Sequence, residues 1–278
     1  MLKKRKSVPL RGGEVIKVSH IYAAMPAGSY GRGDEFGTEV AEFATTLVFN
    51  WKFVRSEVNL NVIDVELNDS PEQVFDLVEA AMENGELSLV DEMADQLYGD
   101  GTGNTSKDID GLAIAVSRTG TYGGLARGAD TQGSSIRAAV EDTTGGTLAL
   151  ATLSTHFGSC TVGRKKPDLI STTQTLWNKI WERSQPSEQN KSSAMRDIGF
   201  EAVRFNGADV TVDSHCPSGF LYLLNTEFFQ LAIHRKWDMR FRGFMEPAQQ
   251  QVQVGQLVLW CNLLNRGPRF SGVASGLS

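Results

Sequence analysis

Apolar residues recur at three- and four-residue steps through Val74, Leu77, Val78, Ala81 and Met82. After Asn84-Gly85 the spacing resumes with Leu89, Val90, Met93, Ala94 and Leu97, which predicts one long amphipathic helix. Ser70, Pro71 and Gln73 read as its start: a serine N-cap accepts from the third helical N–H, Gln73 reaches back, and proline is tolerated at the first helical position. The helix is therefore expected to begin near Pro71 and end at Leu97. Gly99, Gly101 and Gly103, with Asp100 and Asn104, suit the turn that follows, because glycine adopts positive φ without strain. Two-residue alternation predicts strands over Glu14–Tyr22 and Thr45–Leu60. The segment between them, AAMPAGSYGRGDEFGTEVAEFA, is too long for a tight hairpin turn. Tyr30, Phe36, Val40 and Phe43 give it apolar contacts that a simple linker does not need, and it reads as a projecting binding arm.

Further on, TGTYGGLARGADTQGSS reads as loop and Ile136–Val140 as a strand. Thr147–Phe157 and Gln174–Glu182 read as helices and Leu169–Thr172 as a short buried strand. The stretch from Phe200 to His234 is mostly β, with Asn206-Gly207 as a hairpin signal and Pro217-Ser218-Gly219 as a turn. Gln250–Leu264 alternates again and is expected to be a late strand. The whole is an α+β pattern without internal repeats.

Charge sharpens this picture. The predicted helix carries Glu72, Asp76, Glu79, Glu83, Glu86, Asp91, Glu92 and Asp95, and no Lys or Arg occurs between Arg55 and Lys107. Like charges at i,i+4 oppose an isolated helix, so this one needs tertiary packing or a basic neighbour, and that neighbour can be another subunit. Basic residues concentrate elsewhere, in Lys3, Lys4, Arg5 and Lys6, in Arg164, Lys165 and Lys166, and in Arg235, Lys236, Arg240 and Arg242. Opposite-sign regions within one chain can steer self-association. With 278 residues and a formal net charge of −6, the chain can bury a sizeable core but does not suit a surface that wraps DNA as a whole. It contains no run of about 20 apolar residues of the kind a membrane helix needs.

The chemistry-bearing residues do not converge. Cys160, Cys216 and Cys261 are odd in number and widely spaced, which fits reduced thiols better than a disulfide framework or a zinc module. Asp213, Ser214 and His215 are the right residue types for nucleophilic catalysis, yet neighbours in an extended segment cannot meet at one atom. Gly99-Asp-Gly-Thr-Gly lacks the lysine and the preceding strand of a phosphate loop, and Asp108-Ile-Asp110-Gly111 lacks the later ligands of a calcium loop. No catalytic residue, metal ligand or cofactor is expected.

Read in order, the basic N-terminal arm, the long loop between two strands, WKFVRSEVNLNVIDVELNDS, the acidic helix and LYGDGTGNTSKDIDGL resemble the tailed-phage major capsid proteins of the Hong Kong 97-like fold. KPDLISTTQTLWNKIWE, GFEAVRFNGADVTVDSHCPSGFLYLLNTEFF and the segment from Phe244 to the end continue the resemblance. That lineage also includes the encapsulin nanocompartment shells. The resemblance implies an N-terminal arm at 1–13, an E-loop hairpin with flanking strands at 14–58, and a P-domain with a spine helix at 59–103. An A-domain at 104–228 and a return to the P-domain with the C-terminal segment at 229–278 complete it.

The resemblance also implies a structural protein rather than an enzyme. It would self-assemble into pentamers and hexamers of an icosahedral virion shell that encloses double-stranded DNA without reading its sequence, built in the host cytoplasm without a membrane. A separate scaffolding protein, a portal and a decoration protein are the implied partners. Candidate contacts between subunits are Tyr30, Arg32, Phe36, Val40 and Phe43 on the arm, Glu79, Glu83 and Glu86 on the helix, and Arg164, Lys165 and Lys166. Some relatives cross-link a loop lysine to a neighbour's asparagine; residues 25–45 contain no lysine, so noncovalent stabilisation is expected. The alternatives are an encapsulin-type shell enclosing cargo protein and a soluble oligomeric enzyme that binds an anion at Gly99–Gly103.

Overall fold

The computed structural model describes residues 7–10, 13–35, 37, 42–68, 76–128, 130–188, 203–248 and 250–278. In chain order the first half forms β1 (Ser7–Leu10), β2 (Val15–Ile21), β3 (Ala44–Asn50), β4 (Lys52–Asn61), α1 (Val62–Asn68), α2 (Leu77–Leu97), α3 (Leu112–Ala115), β5 (Thr121–Tyr122), β6 (Leu125–Ala126) and α4 (Thr131–Ser135). There follow β7 (Val140–Asp142), α5 (Leu150–Cys160), β8 (Leu169–Thr172), α6 (Gln174–Glu188), β9 (Val203–Phe205), β10 (Ala208–Val212) and β11 (Leu221–Leu224). The last strands are β12 (Phe229–His234), β13 (Arg240–Met245), β14 (Val252–Asn265) and β15 (Gly272–Ala274). These elements belong to two compact units, one of residues 1–14, 50–115 and 229–264, the other of residues 15–49, 116–228 and 265–278.

The first unit is built on β14, whose 14 residues make it the longest strand among the described residues. It pairs with β12 and β13 along one side and with the whole of β4 along the other, and β1 adds to β12 in parallel. Residues alternate across this sheet, so Val54, Val58 and Leu60 of β4 and Leu257 and Leu259 of β14 are buried, while the residues between them are not. Helix α2 covers the buried face. Its close approach depends on Gly85, where an added Cβ would stand 2.6 Å from Val58 Cγ2 and 3.3 Å from Leu257 Cδ1. Asn84-Gly85 therefore interrupts the apolar period because the helix touches the sheet there.

Three expectations change in this unit. Helix α2 starts at Leu77 instead of near Pro71, because the Asp76 carboxylate is its N-cap, accepting from the N–H groups of Val78 (2.9 Å) and Glu79 (3.0 Å); Ser70, Pro71 and Gln73 lie outside the described residues. Val90, assigned to the apolar face, is 43% exposed, since a helix lying on a flat sheet buries only the line through Gly85 and Leu89. The strand expected over Thr45–Leu60 is two strands in different sheets. It breaks at Trp51, whose indole N–H turns away to the Gly13 carbonyl at 2.9 Å. Helix α1 was not anticipated; Asn61 Oδ1 accepts from the Ile63 N–H at 3.0 Å, a helix-start signal at the end of a strand pattern.

The second unit carries a mixed six-stranded sheet in the order β7-β15-β11-β8-β10-β9. Leu153, Phe157 and Cys160 of α5 and Leu176 and Ile180 of α6 pack with Ile170, Val210, Leu221 and Leu223 of the sheet into one apolar cluster. Asn206 (φ 49°) and Gly207 (φ 87°) form the left-handed pair of a two-residue hairpin turn between β9 and β10, as their sequence predicts. Helix α5 is displaced three residues from the expected Thr147–Phe157. The expected strand at Ile136–Val140 is reduced to β7, because the backbone before it bonds outside any ladder, Ala138 N–H to Ser117 O and Ala139 N–H to Ser271 O.

Strands β2 and β3 form a separate two-stranded sheet in the same unit. His20 of β2 is buried, with Nδ1 2.9 Å from the Arg266 carbonyl and Nε2 2.9 Å from Ser135 Oγ. The carbonyl only accepts, so Nδ1 carries a proton. Burial pulls the pKa of this imidazole below the ordinary 6.5, and the Arg266 contact opposes that more weakly. A base whose folded pKa is lowered adds stability that is complete above its unfolded pKa and is lost as pH falls through the folded one. Melting temperature is expected to fall as the pH drops below 6.5 more steeply in the parent chain than in His20→Gln; parallel pH profiles would refute this.

Candidate assembly surfaces

The arm between β2 and β3 projects. Every described residue from 24 to 35 is exposed, including Met25 (54%), Tyr30 (74%) and Arg32, and Phe43 at its return is 41% exposed. Phe36 and Val40 lie outside the described residues. Large apolar side chains held in water on an extended segment are the usual mark of a surface completed by a partner. Between residues 22 and 43, Arg32 stands against Asp34, Glu35, Glu39 and Glu42, a formal charge of −3.

Glu79, Glu83 and Glu86 are all exposed on α2, so this helix faces solvent with an acidic surface. The basic trio after α5 is only partly available. Lys165 pairs with Glu227 and stands 5.8 Å above the Phe228 ring, and Lys166 donates to the Asn206 carbonyl at 3.2 Å; Arg164 is exposed. The arm, the helix and this trio lie on three separate elements, and the sequence grouped them only by charge and polarity.

Sequence reasoning missed one surface altogether. On the sheet face opposite α2, Trp260 stacks on Trp237 (centroids 4.6 Å apart, 10° between planes) and meets Phe53 edge-on at 5.0 Å. His234 lies 5.2 Å from Trp260 and 5.4 Å from Trp51, and the Arg240 guanidinium stands 5.1 Å over Trp237. Phe53 is 59% exposed and none of the tryptophans is fully buried. The signal that could have found it is the alternation itself: Phe53 and Trp260 occupy the positions of β4 and β14 that an amphipathic strand reserves for polar residues.

The glycine turn does not suit an anion. Asp100 Oδ1 accepts from the Thr102 N–H (3.0 Å) and hydroxyl (2.6 Å), which hold its carboxyl below the ordinary carboxylate range. A Cβ at Gly101 would stand 2.8 Å from Asp110 Oδ1, and one at Gly103 would collide with Asp108 Oδ2. The glycines thus make room for carboxylates, which repel a phosphate. Asn104, Thr105 and Ser106 all take left-handed φ (48°, 63°, 62°), held by Asn104 Nδ2 to Asp108 Oδ1 (2.7 Å) and Lys52 Nζ to the Ser106 carbonyl (2.8 Å).

All three cysteines are buried, and burial pushes the Cys160 and Cys216 thiols up to about 12, which disfavours the nucleophilic thiolate at those two positions. Among the described residues no group of three or more His, Cys, Asp or Glu could hold a metal, and no helix is long and apolar enough to cross a membrane.

No protein-family profile and no curated protein sequence matches the chain. Solved structures do. The cyanophage A-1(L) capsid asymmetric unit superposes with a TM-score of 0.75 at 14% identity, covering 98% of this chain and 90% of the other. The chain has the Hong Kong 97-like capsid fold. The capsid of a native GTA particle follows with a TM-score of 0.71 at 10% identity, over 100% and 90% of the two chains. The holo-SrpI encapsulin complex from Synechococcus elongatus PCC 7942 gives 0.64 at 9% identity, over 100% and 87%. The Hong Kong 97-like fold is thus a fold of shell-forming proteins in all three cases, and here it extends over essentially the full chain. At identities of 9–14% the likeness is one of fold.

Proposed function

We propose that this chain is the major capsid protein of a tailed bacteriophage, assembling into the pentamers and hexamers of an icosahedral shell that encloses double-stranded DNA. The observation that carries the reading is the likeness to the cyanophage capsid subunit over 98% of this chain. The first unit would be the P-domain with α2 as its spine, residues 116–228 the body of the A-domain, and the β2–β3 arm the E-loop. Exposed Glu79, Glu83 and Glu86 on α2 would give the shell an anionic inner wall along which packaged DNA slides, since like charge keeps a polyanion from adhering. Scaffolding, portal and decoration proteins are the partners such a shell would recruit, and the virion is where the chain would reside.

A second reading, an encapsulin-type compartment, is favoured by the likeness to the SrpI encapsulin over the full chain. One experiment separates the two. Electron microscopy and light-scattering mass of the expressed chain, alone and with scaffold, should show capsomers or closed shells, and particles from infected cells should carry DNA. Shells that copurify with protein cargo and exclude DNA would select the encapsulin; a small uniform oligomer would remove both.

A further inference from the structure

A helix lying on a sheet ordinarily turns apolar residues to the sheet and polar ones to water. Helix α2 carries apolar residues on both sides. Its sheet side runs through Gly85 and Leu89. Glu83 and Leu87 each stand two residues from Gly85, about 200° round a helix of 3.6 residues per turn, and so lie on the opposite side. A line continues from them at alternating steps of three and four through Ala80, Glu83, Leu87, Val90, Ala94 and Leu97. That is the spacing of the first and fourth positions of a heptad, the seam along which one helix receives another. Leu87 is 62% exposed, Val90 is 43% exposed, and Ala80 is exposed as well. A single exposed leucine needs no explanation, but two large apolar side chains on successive seam positions make a ridge that a partner can cover.

Charge decides which partner fits. Glu79 and Glu86 flank the seam on one side and Asp91 on the other, all exposed, and residues 77–97 hold six acids and no Lys or Arg. Such flanks repel a second α2 and repel nucleic acid, whereas they attract a helix whose own flanks are cationic. The described helices of this chain do not supply one: α6 carries Lys179 and Arg183, but its Leu176 and Ile180 pack into the core of its own unit. We infer that the outer face of α2 receives an amphipathic helix of a second protein, with leucine-like residues along its seam and Lys or Arg beside them. Glu83 interrupts the ridge, and a cation of the partner at that level pairs it and fixes the register, as a polar seam residue does. The docking surface stands on its own; its occupant's role, to guide assembly from inside and then leave, rests on the shell reading. The acids that hold a cationic helix would afterwards face the DNA without binding it, so one surface serves both stages.

The probe is a synthetic peptide of three heptads, matched to the 21 residues of α2, with Leu at the seam and Lys at the flanks. Fluorescence anisotropy measures its binding to the expressed chain before shells close, when an interior helix is open to solution. A peptide of the same composition in scrambled order should bind about tenfold or more weakly, because it keeps the charge and loses the ridge. Leu87→Ser with Val90→Ser should weaken the ordered peptide by about the same factor at unchanged charge. Glu79→Lys with Glu86→Lys should reject the Leu/Lys peptide and accept one with Glu at the flanks. All four positions are exposed, so the melting temperature should hold; if the serine pair melts below the parent, Leu87→Gln alone replaces it. Equal binding of the ordered and scrambled peptides, or undiminished binding by the serine pair, would reduce the effect to charge attraction and overturn the inference. A parent chain that binds neither peptide would overturn it too. Electron microscopy of the same preparations keeps the two readings apart. Shells without peptide binding leave the shell reading intact, and peptide binding by a chain that forms no shells keeps the docking surface and removes the role assigned to its occupant.

Discussion

Replacing Gly85 by leucine is expected to separate α2 from its sheet and to abolish soluble assembly. A Cβ at this position falls 2.6 Å from Val58 Cγ2, a methyl on a β-branched residue that has no rotamer freedom to yield, and 3.3 Å from Leu257 Cδ1. Overpacking a close contact costs about 1–3 kcal/mol, and leucine adds three further carbons to a gap that does not hold the first. Gly85→Ala is the informative milder variant. Alanine gains about 1 kcal/mol of helix propensity over glycine, so the measured loss is the clash less that gain. If the clash is with Val58, then Val58→Ala removes it, and the double variant should lose less than the two single losses added together. The expected coupling is about 1–2 kcal/mol by urea unfolding, well beyond the few tenths expected of independent sites. Additivity would mean that α2 accommodates the methyl by sliding, and that the glycine marks flexibility instead of contact.

Gly85 also shows where sequence was enough and where it stopped. The apolar period through the acidic helix located α2 and its C-terminal end, because a long helix on a sheet leaves a periodic trace over many residues. Its start was misplaced because Ser70-Pro71 and Asp76 are both competent caps, and local sequence does not rank them. The β9–β10 hairpin was legible to the residue, since Asn-Gly specifies a left-handed pair. The break at Trp51 was not. The apolar positions do change phase, from Leu47, Phe49, Trp51 and Phe53 to Val54, Val58 and Leu60, but the shift comes two residues after the break, which is set by the long-range contacts of Trp51 with Gly13 and of the Asn50 carbonyl with Asn262 Nδ2 at 2.9 Å. The arm was found from its length and its aromatics. The aromatic face of the first unit's sheet was missed because Trp51, Phe53, His234, Trp237 and Trp260 come from three stretches of sequence, none of which is unusual by itself. Charge grouped Arg164, Lys165 and Lys166 correctly as a basic run but could not show that Lys165 and Lys166 spend their charge on Glu227 and the Asn206 carbonyl.

Arg127 should prove the least replaceable charged residue of the second unit. It is 5% exposed, yet Nε donates to the Ile136 carbonyl and Nη1 to the Thr119 carbonyl, each at 3.0 Å, and the guanidinium stands 4.9 Å over the Tyr122 ring. Its own carbonyl accepts from Arg137 Nε (3.2 Å) and Nη2 (3.0 Å), and its N–H donates to Gly120 at 2.9 Å. The residue thus ties together a segment, from Thr119 to Arg137, that has only the short β5, β6 and α4 to order it. Burial lowers its pKa to about 10, so the charge is kept at neutral pH and is compensated by those two carbonyls and the ring. Arg127→Met fills much of the same volume without the charge, but leaves the buried Ile136 carbonyl without this donor, at about 1–3 kcal/mol, whereas the carbonyl of exposed Thr119 also accepts from the Ser117 hydroxyl at 3.3 Å. Arg127→Lys keeps the buried charge on a compact ammonium that cannot span two carbonyls set apart for a planar fork. Lysine should therefore destabilise at least as much as methionine, by about 3–5 kcal/mol, the range for a buried charge stripped of its partners. Unfolding midpoints in urea give the order directly, and limited proteolysis should cut both variants between Thr119 and Arg137 before any other site in the second unit. If lysine restores parental stability, the guanidinium fork is not what holds this segment, and the contact with Tyr122, which a lysine can also make, is.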